Sequence, residues 1–241
     1  MVSVAVAEGV EVGVAGFDPG AGVTAAYGAG GFETASVVKV GILAALLLRA
    51  RDAGRVLTVA ERAHAVAMVE RSDNDSASAL WRAIGGARGL DAANERFGLT
   101  GTAGGEGTLW GLTRTTAVDQ VALLRHLFVA DGSELTADAR AYVTGLMGRI
   151  ADGQRWGVSA AADGSAWALK NGWLRRSTTG LWVVNSVGRV TSGGHDRLVA
   201  VVSRGSATLA EGIALVEAAA RAVVSVLAGE GGRAERDQKS S

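Results

Sequence analysis

The chain predicts an α+β fold: a five-stranded antiparallel sheet built from both chain termini, flanked by helices, with an all-helical lobe inserted between its halves. Three observations lead there. Alternating apolar runs open the chain and fold back across Asp18-Pro19-Gly20. Helical periodicity with capping residues fills the middle. After about residue 165 the character changes to β-branched and aromatic runs divided by turn residues, followed by one long apolar helix. No linker composition separates two folding units. The expected organisation is one domain over 1–227, with the sheet part at 1–33 and 165–227, the lobe at 36–164, and a disordered tail at 228–241.

Taken in order, Val2 to Ala7 and Val10 to Phe17 alternate as half-buried strands, and Val23 to Tyr27 is the return strand of a hairpin. Glycines 28, 30 and 31 lead into a helix from about Ser36 to Ala53. Thr58 with Glu61 makes a capping box for a helix ending near Glu70. Ser72-Asp73-Asn74-Asp75 interrupts the pattern, Ser76 to Ile84 resumes it, and Gly89 to Phe97 adds a further amphipathic stretch. Gly98 to Gly111 is rich in glycine and threonine and should be a loop. Thr115 or Thr116 caps a helix to about Phe128, and Thr136 one to Met147. Trp167 to Trp173, Leu181 to Val190 and Arg197 to Ser203 are the late strands, the last two joined through Gly193-Gly194-His195-Asp196. Ala210 to Leu227 closes the domain.

Bulk composition narrows the function classes. The 241 residues are 48% hydrophobic, enough for a sizeable core, and carry a formal net charge of zero. No basic surplus is available to bind nucleic acid or an acidic membrane. The absence of cysteine removes disulfides, thiolate catalysis and Cys-based metal sites. His64, His126 and His195 form no pair with metal-ligand spacing, so no metal and no cofactor is expected. The longest apolar run, Val37 to Leu48, is interrupted by Lys39 and is too short to span a bilayer. The N-terminus lacks a signal-peptide layout, and a monomer acting on a small molecule or peptide is the expected assembly.

The chemistry collects in three segments. Ser36-x-x-Lys39 opens the apolar helix, where residues three apart share a face, so hydroxyl and amine can meet. Burial would lower the lysine pKa and make it a base, and the helix start offers free N–H groups to an anion. Ser72-Asp73-Asn74 lies on the helical lobe, with Asp73 read as structural, and Lys170-Asn171-Gly172 lies on a late strand. All three can face one cleft between lobe and sheet.

This order resembles the serine β-lactamase and penicillin-binding-protein superfamily, which includes class A β-lactamases and D-Ala-D-Ala peptidases. The resemblance spans roughly residues 3 to 227. It implies an acyl-enzyme at Ser36, with Lys39 taking its proton or holding it in a shared network, and Ser72 relaying a proton to the leaving nitrogen beside Lys170. It implies that Asn74 binds the substrate amide and steadies Lys39, and that the backbone N–H groups of Ser36 and Trp173 form the oxyanion hole. Gly172 would keep the strand open to substrate. An extracytoplasmic or secreted location follows from the same resemblance.

Two departures stand out. The family has Thr or Ser where this chain has Asn171, which would grip a substrate carboxylate differently, with Arg175 and Arg176 as substitute charges. No Glu-x-x-x-Asn occurs between Ser76 and Thr115; Glu106 is the loop's one carboxylate, and Trp110 takes the place of the asparagine. The short stretch between the first two motifs also implies one reduced wall. Fast β-lactam hydrolysis is therefore not expected, whereas slow hydrolysis or transfer to an amine is. The alternatives are a class A-type β-lactamase with a substitute base, and a catalytically idle protein that binds cell-wall peptide or a partner.

Overall fold

The computed structural model describes residues 4–164 and 166–239, with side-chain surroundings through Gly229. Five strands form one antiparallel sheet: β1 (Glu11–Asp18), β2 (Val23–Tyr27), β5 (Trp167–Arg175), β6 (Trp182–Ser192) and β7 (His195–Ser206), in the order β2-β1-β7-β6-β5. The first and last parts of the chain thus meet in the β1–β7 pairing, where Val14 lies opposite Val201. The β6–β7 turn places Gly193 and Gly194 at φ +59° and +77°, a left-handed pair that glycine accepts freely.

The sheet is covered on both faces, and the alternation along β7 shows how. Leu198, Ala200 and Val202 point toward the helical lobe, while Val199 and Val201 point toward α7 (Leu209–Lys239). Val216, Ala219, Ala220, Val223, Val224 and Leu227 of α7 are buried on this side. By length and composition, Leu209–Gly229 could also cross a membrane, with a mean hydropathy of 1.7, a feature the sequence reading passed over. Here its apolar face covers the sheet.

The lobe is organised by α1 (Val38–Asp52). Around it stand α2 (Val59–Glu70), α3 (Asn74–Ile84), α4 (Gly86–Phe97), α5 (Ala117–Phe128) and α6 (Ala137–Met147). Eleven of the fifteen α1 residues are buried, on every side of the helix. A helix apolar all round belongs at a core, and this one is the axis of the lobe. The expected capping box is present, Glu61 N–H donating to Thr58 Oγ1 (3.1 Å) and Thr58 N–H to the Glu61 carboxylate (2.7 Å). Thr116 and Thr136 cap α5 and α6 as expected.

Four expectations need correction. Residues 4–7 form no strand, because both edges of β1 are already taken by β2 and β7. The lobe is not wholly helical: β3 (Phe32–Glu33) pairs with β4 (Arg114–Thr115) at its junction with the sheet. The helix α1 begins at Val38, with Ser36 in a preceding 3-10 turn, Ala35–Val37. The closing helix α7 ends at Lys239, beyond its expected end at Leu227. The boundary residue Ser165 lies outside the described residues.

Leu43, fully buried on α1, tests the central role of this helix. Leu43→Ala is expected to lower the free energy of unfolding by about 2–5 kcal/mol, measured by urea denaturation followed through tryptophan emission.

Candidate active site

Two buried lysines meet on one serine. The amines of Lys39, from α1, and Lys170, from β5, both donate to Ser72 Oγ, at 3.1 and 3.0 Å. Each lysine is 0% exposed. Lys39 Nζ also donates to the Ser72 carbonyl (2.6 Å) and to Asn74 Oδ1 (2.8 Å), which uses its three hydrogens. Lys170 Nζ donates further to the Asn171 carbonyl (2.9 Å) and reaches Gln154 Oε1 at 3.5 Å.

Local backbone geometry makes this possible. Ser72 has φ +58°, a left-handed conformation that a non-glycine residue adopts at a cost of about 1–2 kcal/mol. It lies between α2 and α3, where its carbonyl and hydroxyl both serve Lys39. Asp73 then starts α3 as its N-cap, its carboxylate accepting from Ser76 N–H (2.7 Å), so the structural reading of Asp73 holds.

Burial pushes the Lys39 amine down to about 8, partly opposed by the charge of Asp73. Burial, then the nearby positive charge of Lys39, pushes Lys170 down to about 7. Both amines are thus brought toward neutral pH, where they can exchange a proton. Since both are lowered from 10.5, the unfolded chain binds more protons between about pH 7 and 10.5. Over that window these groups make stability rise with pH, and their penalty is full below it.

Ser36 is half-buried at the other end of the same turn. Among the described residues no hydrogen bond joins its hydroxyl to Lys39, whose amine is directed to Ser72 and Asn74. Ser36 follows Ala35, a second left-handed residue at φ +46°. Strand β5 passes against this turn at Gly172. A Cβ there would sit 2.7 Å from Ser36 N, and 2.8 Å from both Thr34 O and Val37 N. Only glycine fits. As the outermost strand, β5 leaves one backbone edge unpaired beside Ser36, where an extended substrate could add itself.

Asn171 is placed otherwise than expected. It is 1% exposed, and its amide donates inward to the carbonyls of Gln154 (2.7 Å) and Trp156 (3.0 Å), so it has no hydrogen left for a substrate carboxylate. The suggested substitutes are engaged too: Arg175 donates to the Gly180 carbonyl, and Arg176 lies 3.8 Å from Glu33. Trp173 forms a tilted pair with Trp156, ring centroids 5.7 Å apart, both half-buried.

No carboxylate bonds either lysine amine among the described residues. Glu106 is exposed, and its carboxylate makes no hydrogen bond there. Trp110 lies against the amine instead, its ring centroid 4.9 Å from Lys39 Nζ and its indole N–H donating to Ser78 Oγ on α3 (3.2 Å). Two of the three histidines are structural: His64 bonds Ser76, and His126 bridges the Phe97 carbonyl and the Glu134 amide; His195 is exposed in the β6–β7 hairpin. Sequence reasoning missed Gln154 and Trp156, which support β5 from a loop with no motif of its own. It also missed Asn185, signalled only as a polar residue within the apolar run Trp182-Val183-Val184.

The comparisons fit this arrangement. The profile of the Beta-lactamase enzyme family matches residues 53–227, and the chain belongs to that family. The matched span begins after Ser36 and Lys39. By sequence, no curated protein matches the chain. Among solved structures it is similar to TLA-3 extended-spectrum β-lactamase (TM-score 0.80, 16% identity, covering 91% of this chain and 94% of that one). It is also similar to a class A β-lactamase from Mycobacterium abscessus (TM-score 0.76, 22% identity, 91% and 95%). A third is a PBP-A mutant in an acyl-enzyme complex with penicillin G (TM-score 0.78, 21% identity, 92% of each chain). The fold is that of the serine β-lactamases and penicillin-binding proteins.

Gly172→Ala should force β5 away from the Ser36 turn. A loss of labelling at Ser36 by serine-directed probes, with near-UV circular dichroism retained, is the expected outcome.

Proposed function

We propose that the protein is a serine hydrolase or acyltransferase that forms an acyl-enzyme at Ser36 with an amide, ester or β-lactam carbonyl. The observation that carries the reading is the convergence of two buried amines on Ser72, one of them that of Lys39, three residues along the chain from Ser36. Lys39 in its neutral form takes the Ser36 proton as Oγ bonds to the carbonyl carbon. The backbone N–H groups of Ser36 and Trp173 stabilise the resulting oxyanion; one such donor is worth about 3–4 kcal/mol. Ser72 accepts from both lysines, so its own O–H is left to protonate the leaving nitrogen or oxygen. It is then reprotonated from the lysine that holds the Ser36 proton, and the proton balance closes. Asn74 holds Lys39 and binds the substrate amide. The reaction calls on no metal or organic cofactor, and it suits an extracytoplasmic enzyme acting as a monomer.

Deacylation is the slow half. Glu106, the loop's one carboxylate, is exposed and bonds neither lysine, and the Trp110 ring lies against the Lys39 amine, so an acyl group on Ser36 should be long-lived and open to capture by an amine. Incubation with a fluorescent penicillin and with a fluorophosphonate, followed by mass spectrometry, should show an isolable adduct on Ser36 that Ser36→Ala lacks. Folded protein that yields no adduct with either reagent overturns the reading. Rapid nitrocefin turnover dependent on Glu106 would replace it with a true β-lactamase.

The acylation rate should rise with pH through about 7 to 8 as the lysines lose protons. Lys39→Met should fold and lose that profile together with acylation, and should flatten the rise in stability between pH 7 and 10.5.

A further inference from the structure

We infer that Asn185, on β6, is a positioning residue that sets the nucleophile turn at its distance from β5; the inference rests on the acyl-enzyme reading. Its side chain is 0% exposed and its Nδ2 donates to two consecutive carbonyls, Glu33 (2.8 Å) and Thr34 (2.9 Å). Its Oδ1 accepts from the Ser203 N–H of β7 at 3.0 Å. These partners fix the orientation of the amide, since carbonyls only accept and a peptide N–H only donates. Both amide hydrogens are spent on the chain immediately before Ser36.

The geometry at this point is unforgiving. Asn185 lies opposite Gly172 in the β5–β6 pairing, and Gly172 is the residue that packs against Ser36 N and Thr34 O. One short amide and one missing side chain therefore fill the same space and hold the turn against the sheet. The other side of the turn is held by Thr34 N–H donating to the Thr113 carbonyl (2.8 Å), and Val37 N–H closes the turn on Thr34 O (3.2 Å). Between these ties stands Ala35 in its left-handed conformation, which an alanine holds only where its surroundings impose it. Ser36 Oγ and N–H follow directly from that residue. Without the amide, the carbonyls of Glu33 and Thr34 lose their sheet-side donors, and the turn can relax away from β5. Loss of alignment on the order of 1 Å at a reacting group costs about 100-fold in rate.

A matched control exists on the same strands. Ser203 Oγ donates to the Val184 carbonyl (2.6 Å) and is equally buried, yet it does not touch the turn. Asn185→Leu, Asn185→Ser and Ser203→Ala are compared with the parent in two measurements. The first is the acylation rate constant and apparent binding constant for fluorescent penicillin at Ser36. The second is hydrogen exchange of the Ser36 and Val37 amides, which needs no catalysis. The expected result is an acylation rate about 100-fold lower in the Asn185 variants, with the binding constant within a few-fold and with faster exchange at both amides. Ser203→Ala should keep the parent's acylation rate and exchange even where its melting temperature falls as far. Asn185→Ser covers the case in which the leucine variant does not fold. Parent-like exchange in a folded Asn185 variant overturns the proposal, as does an acylation loss in Ser203→Ala of equal size. If the parent itself is not labelled, the acyl-enzyme reading falls, and the exchange measurement alone decides whether Asn185 holds the turn.

Discussion

The constraint on which the site depends is the burial of a lysine amine on a helix that is itself packed on every side. Lys39 is carried by α1, whose other faces are packed on all sides, so water does not reach the amine and hydrogen-bond partners must come from the protein. The α2–α3 junction supplies them. Ser72 turns left-handed and presents both its carbonyl and its hydroxyl, and Asn74 adds an amide oxygen. The same hydroxyl is claimed from the sheet by Lys170. The shared hydroxyl thereby ties the lobe to the sheet, while burial lowers the proton affinity of both amines, helped at Lys170 by the charge of Lys39. Stability and the proposed reactivity pull against each other here: folding would be easier without these lysines, and the proposed acylation would have no base.

A second contact completes the arrangement. Strand β5 is the outermost strand, and Gly172 allows it to lie against the start of the helix at backbone distance. A sheet edge and a helix start are the two places where backbone N–H groups are left free, and the fold brings them together. The order β2-β1-β7-β6-β5 puts the strand carrying Lys170 at the edge of the sheet while pairing β1 with β7, the first strand with the last.

Family and fold are shared with the β-lactamases, and the surroundings of the lysines are what bear on the proposed slow deacylation. An aromatic ring covers Lys39, and Asn171 is turned inward to hold the Gln154–Trp156 loop, while Arg176 faces Glu33. The two lysine amines lie deep and are fixed by several partners, and Asn171 is buried beside them, whereas Glu106 is exposed at the surface.

Much of this was legible in the chain itself. Capping residues, the change from helical to strand periodicity, and three short motifs in order gave the element sequence and the Ser36, Lys39, Ser72 and Lys170 set, since such signals act over a few residues. Local patterns could not show where the Lys39 amine points, because three residues of helix allow both Ser36 and a partner thirty-three residues away. Nor could they show that Asn171 faces inward, that Trp110 covers the amine, or that Asn185 reaches the turn before Ser36. Each of those depends on which long-range neighbour fills a space, and packing, unlike periodicity, is settled only when the whole chain has closed around it.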